Sequence, residues 1–294
     1  MSTSDPVRVD EYPWRQVNVA FAVPAAAEDI AVAQLGPLLT AAEDQGLLES
    51  WFFVRKAASW RVRYLPDGNS SQVAAQVTDG LRALRGKGHI DDVTEVVYEP
   101  EVHAFGGPEG MAVAHRLFHA DSRNLLAQLA GTERQWLTRH RREAAVLLNA
   151  ALLRAAGLDW FEQGDVWARV ASHREQPQAL ATGEADALHA SLRVLMSADT
   201  TMVTDSRPHH GITPAWVSVF SASGDELAKL AAAGLLHRGL RAVLAHHVIF
   251  AWNRHGLPHA VQARLSNAAA AVVFGPRPGE GMSANEGAEP RSCS

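Results

Sequence analysis

Along the first hundred residues the apolar positions switch between a period of two and a helical period. Residues 14–22 (WRQVNVAFA) alternate well enough to predict a strand, closed by Pro24. An Ala/Leu-rich run over 25–48 predicts a helix. Residues 50–55 and 60–65 are aromatic and β-branched runs separated by Lys56-Ala57-Ala58-Ser59, the pattern of a hairpin. The cluster Asp67-Gly68-Asn69-Ser70 predicts a turn, 71–85 a helix, and 93–98 a further strand.

From Pro108 onward the pattern is helical throughout. Thr132 and Gln135 stand at capping-box spacing before a run to Ala156, and Gly157 is placed to end it. Helices over 158–172, 182–196, 223–233, 236–252 and 258–273 follow, with 199–214 (DTTMVTDSRPHHGITP) as the one long interior loop. The pattern predicts an α+β fold: a mainly antiparallel N-terminal sheet with helices, then a helical C-terminal half. Residues 1–12 and 276–294 have little to bury and read as loose tails around one domain over 13–275.

Composition narrows the function classes. The 27 basic and 32 acidic residues give a net charge of −5, which argues against a whole-chain polyanion binder, so no direct nucleic-acid partner is expected. Cys293 is the single cysteine, which excludes an internal disulfide and a cysteine zinc site. No signal-peptide h-region and no apolar run of membrane-spanning length is present, so a cytoplasmic protein without a membrane partner is expected.

Nucleotide-binding, P-loop, nucleophile-elbow and HExxH motifs are absent, and no cofactor is expected. His115/His119 and His255/His259 have the i, i+4 spacing of zinc ligands, but neither pair has an evident third ligand, so no metal is expected. Gly106-Gly107-Pro108-Glu109-Gly110 suits an anion at a helix start, or simply a tight turn with Pro at the first helical position. The stretch 134–142 (RQWLTRHRR) suits an acidic peptide or RNA, or is a solvated helix face. Arg61 and Arg63 are two apart on a strand and share a face. They are either a carboxylate clamp or the polar face of an edge strand.

Several blocks in order resemble the thiopeptide-type bacteriocin biosynthesis family, the domain that also forms the C-terminal part of class I lantibiotic dehydratases. They are Trp51-Phe52-Phe53-Val54-Arg55, Arg61-Val62-Arg63, Tyr98-Glu99-Pro100-Glu101 with Phe105-Gly106-Gly107, Phe118-His119-Ala120-Asp121-Ser122, and Asn253-Arg254. The resemblance implies a lyase that removes glutamate from glutamylated Ser or Thr of a precursor peptide. Its implied partners are that leader–core peptide and a separate glutamylating dehydratase, and a homodimer stays open.

Carried over by position, Arg61 and Arg63 become the glutamate-binding arginines, Glu101 the catalytic acidic residue, and Asn253 and Arg254 substrate-binding residues. The family pattern has Arg where this chain has Ala104, and His where it has Ile249 and Ala251. His246 and His247, upstream on the same predicted helix, are then the expected base. Arg61, Arg63, Glu101 and at least one of His246 and His247 are expected to line one cleft between the sheet and the helical half. The departures leave two alternatives: a formal [4+2] cycloaddition that builds the pyridine of a thiopeptide, and a non-catalytic subunit that binds the precursor.

Overall fold

The computed structural model describes residues 14–56, 59–67, 70–178, 180–198 and 212–275. The expected tails, most of the 199–214 loop, and the centres of the two turns near residues 57 and 68 lie outside them. Four strands, β1 (Arg15–Phe21), β2 (Leu48–Lys56), β3 (Ser59–Pro66) and β4 (Ile90–Val96), form one sheet in the order β2-β3-β1-β4, every pair antiparallel. Among the described residues every regular element from Pro108 onward is a helix, so the fold is α+β.

Alternation sorts the sheet's two faces. Val17, Val19, Phe21, Trp51, Phe53, Trp60, Val62 and Tyr64 are buried on one face, within an apolar core that also takes in Leu35, Leu39, Leu81 and Leu84. On the other face Gln16, Arg63 and Phe52 stand in register, as do Asn18, Arg61 and Val54. This second face is covered only in part, by a cluster of Trp14, Tyr98, Phe105, Met111, Ala114 and Phe118.

β2 is an outer strand, and its free edge is capped by side chains of α4 (Pro108–Ala130). Ser122 Oγ accepts from the Phe53 N–H at 3.3 Å, and His119 Nδ1 meets the Trp51 backbone at 3.2 Å from N and 2.9 Å from O. These contacts satisfy edge groups that would otherwise be buried without partners. The Asp-Ser block of the sequence thus has a folding role at its Ser122 end.

Some sequence expectations shift. The helix expected over 25–48 stops at Asp44, where Gly46 (φ 68) reverses the chain, and Leu48 already begins β2. Thr132 and Gln135 form no capping box. The first helix starts after Glu133 without a side-chain cap, and the run divides at His140 into α5 (Arg134–Arg139) and α6 (Arg141–Ala155). A capping box does form between Asp159 and Glu162 at the start of α7 (Trp160–Ser172), with bonds of 2.7 and 3.1 Å. After α8 (Thr182–Ser197), α9 (Pro214–Ala232) begins well before residue 223, because Thr213 Oγ1 caps the Trp216 N–H and Pro214 fits the first turn. The chain closes with α10 (Leu240–Arg254) and α11 (His259–Phe274). Among the described residues no helix is long and apolar enough to cross a membrane.

Candidate functional site

A cleft of about 820 Å³ lies between the open face of the sheet, the segment before α1 (Ala27–Ile30), the end of α10 and the start of α11. Arg61 and Arg63 supply its sheet wall. They stand on β3, an interior strand, so the edge-strand alternative falls away. Arg63 is only 3% exposed, and its Nε donates to Gln16 Oε1 at 2.7 Å. Its guanidinium lies 4.5 Å over the Tyr98 ring, while Nη1 has no hydrogen-bond partner among the described residues. Burial holds this guanidinium below its ordinary pKa.

Behind Arg63, Tyr98 Oη lies 2.9 Å from His115 Nε2. Burial and the neighbouring Arg63 charge push His115 down to about 4, so at neutral pH it adds no competing positive charge.

Arg55 enters the cleft from the end of β2. By alternation it belongs with Phe53 on the opposite face, and its guanidinium lies over Trp60, 4.5 Å from the ring centroid. Nη1 donates to Glu28 Oε2 at 2.5 Å, whereas Nε and Nη2 are buried and unpartnered. Glu28 also takes a two-pronged grip from Arg141, at 2.6 and 2.7 Å. Burial alone would raise the Glu28 carboxyl; the bonds and charges of Arg141 and Arg55 outweigh it and hold the group at about 2. Gly256 (φ 73) presses its backbone against this arrangement, and a Cβ there would fall 2.9 Å from Arg55 Nη1.

The helical wall carries Arg174, Asn253, Ile249 and Phe250. Glu101 completes the lining, and its Oε2 is buried without a partner. Among the described residues of the lining, Arg55, Lys56, Arg61, Arg63 and Arg174 face two carboxylates, Glu28 and Glu101, and Glu28 is already engaged. Buried guanidinium N–H groups without partners, in excess over carboxylates, are the physical mark of an anion site.

Of the residues singled out from sequence, Arg61, Arg63, Glu101 and Asn253 line this cleft; His246, His247 and Arg254 do not. His247 is wholly buried, with Nδ1 bonded to Val243 O at 3.0 Å and its ring edge-on to Phe105. Burial lowers it to about 4. His246 bonds Ala242 O and lies against His173, outside the lining, and burial lowers it as well. Arg254 is fully enclosed and donates from Nε to Asp121 Oδ2 at 2.6 Å. The two form a core ion pair in which each buried charge compensates the other.

The other candidates resolve into folding roles. Gly106 and Gly107 (φ 84 and 106) let the chain pass close to Leu236 and His237, and Pro108 takes the first helical position. Arg134 and Arg141 of the basic stretch bind Asp29 and Glu28. His259 lines the cleft, while His255 is buried on Asp121, and no cluster of three metal-ligating side chains occurs among the described residues. The sequence did not single out Arg55, Glu28 or Arg174: Arg55 falls on the opposite strand face by parity, and the other two have no local signal.

The sequence profile described as Lantibiotic biosynthesis dehydratase C-term matches residues 14–273. Among solved structures, the tRNA dependent lantibiotic dehydratase MibB from Microbispora sp. 107891 superposes with a TM-score of 0.61 at 16% identity. That match covers 92% of this chain and 29% of MibB, so this chain spans under a third of the larger protein. TsrL superposes with a TM-score of 0.58 at 15% identity, covering 90% of this chain and 99% of TsrL. At these identities the likeness is one of fold. No curated protein sequence matches the chain. With the profile covering nearly all of the described residues, the chain belongs to the lantibiotic biosynthesis dehydratase C-terminal family.

Proposed function

We propose that this protein eliminates glutamate from glutamylated Ser or Thr residues of a precursor peptide, leaving dehydroalanine or dehydrobutyrine. Family membership supports the setting, the biosynthesis of a ribosomally made and modified peptide. The observation that carries the reaction is the guanidinium-rich cleft with one unengaged carboxylate, Glu101.

The chemistry asks for those parts. A glutamyl group delivered from tRNA is joined through its α-carboxyl, so the adduct carries a free γ-carboxylate, which Arg61 and Arg63 are suited to hold in a bidentate grip. Glu101 takes the α-proton of the modified residue. The C–H electron pair becomes the new C=C bond, the Cβ–O bond breaks, and its pair departs on the carboxylate of glutamate. Guanidiniums facing the leaving oxygen stabilise the charge that develops there. Glu101 is favoured over the histidines because His247 has no route to the cleft and His246 lies outside its lining.

A second reading, a [4+2] cycloaddition of two dehydroalanines, is favoured by one observation: Ile249 stands in the lining where the resemblance would put an imidazole, and Phe250 and Leu257 extend the apolar wall beside it. The test is to supply glutamylated precursor and follow loss of glutamic acid by mass. Wild type should eliminate, while Arg61→Ala, Arg63→Ala and Glu101→Gln accumulate glutamylated peptide. Removing the base should cost roughly 10²–10⁴ in rate. A wild type that never eliminates but closes a dehydrated, azole-bearing peptide to a pyridine supports the second reading. One that binds the precursor and does neither is a presenting subunit.

A further inference from the structure

Arg174 follows α7, and a side chain that never meets solvent sets its position. Gln262 of α11 is wholly buried. Its Oε1 accepts from Arg174 Nε at 3.0 Å and from Nη2 at 2.6 Å. Its Nε2 donates to Asn253 Oδ1 at 2.9 Å and to Leu257 O at 2.7 Å. Only one orientation of this amide works, since the reverse would set N–H groups against a guanidinium and oxygen against a carbonyl.

The orientation propagates to the cleft. With Oδ1 committed to Gln262, Asn253 has its Nδ2 hydrogens left to donate, and the residue lines the cleft. Arg174 lines it too, with its remaining bond going from Nη1 to His173 O at 2.8 Å. No carboxylate pairs with Arg174 among the described residues, and burial lowers its pKa below the ordinary arginine value. Two donors, one of them cationic, are therefore held side by side through one buried amide.

We propose that Arg174 and Asn253 form a second anion subsite on the helical wall, separate from Arg61 and Arg63 on the sheet wall, so that the cleft takes a ligand with two carboxylates. Gln262 is the positioning residue for both. The assignment of glutamate as that ligand rests on the elimination reading. The ester adduct carries one free carboxylate and departing glutamate carries two, so the helical subsite gains its partner as the ester C–O bond breaks. Such an interaction raises kcat and leaves KM nearly unchanged.

The probes are glutarate and valerate, which share a five-carbon chain and differ in one carboxylate, titrated into the full-length protein by calorimetry. Wild type should bind glutarate about ten- to a hundredfold more tightly than valerate, the range expected for a charged hydrogen-bonded contact. Arg174→Ala should erase that preference and leave valerate affinity unchanged, whereas Arg61→Ala weakens both ligands. Gln262→Leu should lower the preference although it touches neither ligand; should that variant fail to fold, the partly exposed Arg174→Ala still decides. Equal affinities in wild type, or a preference that survives Arg174→Ala, overturn the subsite. An Arg174-dependent preference without elimination activity upholds the subsite and removes the elimination reading. Elimination at wild-type kcat in Arg174→Ala, together with equal glutarate and valerate affinities in the wild type, does the reverse.

Discussion

Arg254 and Asp121 meet at 2.6 Å in the interior of the helical half, 133 residues apart along the chain and without solvent contact. Asp121 Oδ1 also accepts from Trp216 Nε1 at 2.9 Å and lies 3.0 Å from His255 Nε2. Burial alone would raise this carboxyl, and the Arg254 and His255 interactions hold it at about 2. The cluster joins α4, α9 and the end of α10, the turn on which Asn253 stands. Asp121→Asn leaves a buried guanidinium without its counter-charge and is expected to cost about 3–5 kcal/mol. The denaturant midpoint measures it, and an unchanged midpoint contradicts the role.

Stability should also fall on mild acidification, through His247. Its folded pKa is depressed to about 4 against an ordinary 6.5. The native state therefore holds it neutral while the unfolded chain takes up a proton. Its stabilisation is complete above pH 6.5 and drains away as pH falls to 4, by roughly 3 kcal/mol in all. His115 acts in the same direction. The His247 Nδ1 partner is the carbonyl four residues earlier in its own helix, so His247→Leu removes little else. Denaturation curves between pH 6.5 and 4 should be flatter for His247→Leu; equal slopes would refute the assignment.

Arg63→Lys keeps the charge and loses the fork, the Nε bond to Gln16 and the guanidinium's contact with the Tyr98 ring. Glutarate affinity should drop about tenfold or more, nearly as far as in Arg63→Ala. Full rescue by lysine would mean that charge alone matters at this position.

Gly256→Ala tests Arg55 without touching it. The new Cβ would crowd Arg55 Nη1 at 2.9 Å, in a backbone conformation (φ 73) that alanine adopts with strain. The variant should lose about 1 kcal/mol of stability. It should also weaken anion binding well beyond Lys56→Ala, which removes a charge and leaves Arg55 in place. Wild-type anion affinity in Gly256→Ala would remove Arg55 from the binding surface.

Short-range pattern was enough to place most elements and to set Arg61 and Arg63 on one strand face. The alternation of β1, β2 and β3 follows from side-chain parity, so Arg61 and Arg63 share a face in any strand that contains them. The capping expected at Thr132 failed because Glu133 takes the cap position and the helix breaks at His140, where the ring stacks on Trp136 at 4.9 Å. No window of sequence around residue 132 contains that outcome.

The sequence by itself determined which residues carry charge, which strand face Arg61 and Arg63 occupy, and that Glu101 and Asn253 accompany them in one family pattern. Only the tertiary structure decided what each charge does. Neighbours in sequence part company here: Asn253 lines the cleft while Arg254 turns inward to Asp121, because consecutive helical positions point about 100° apart. Distant residues converge instead. Glu28 meets Arg55 and Arg141, and Arg174 reaches Asn253 only through Gln262. Hydrogen bonding in a low-dielectric interior depends on contact distances of about 3 Å between packed elements, and no local sequence pattern records those distances.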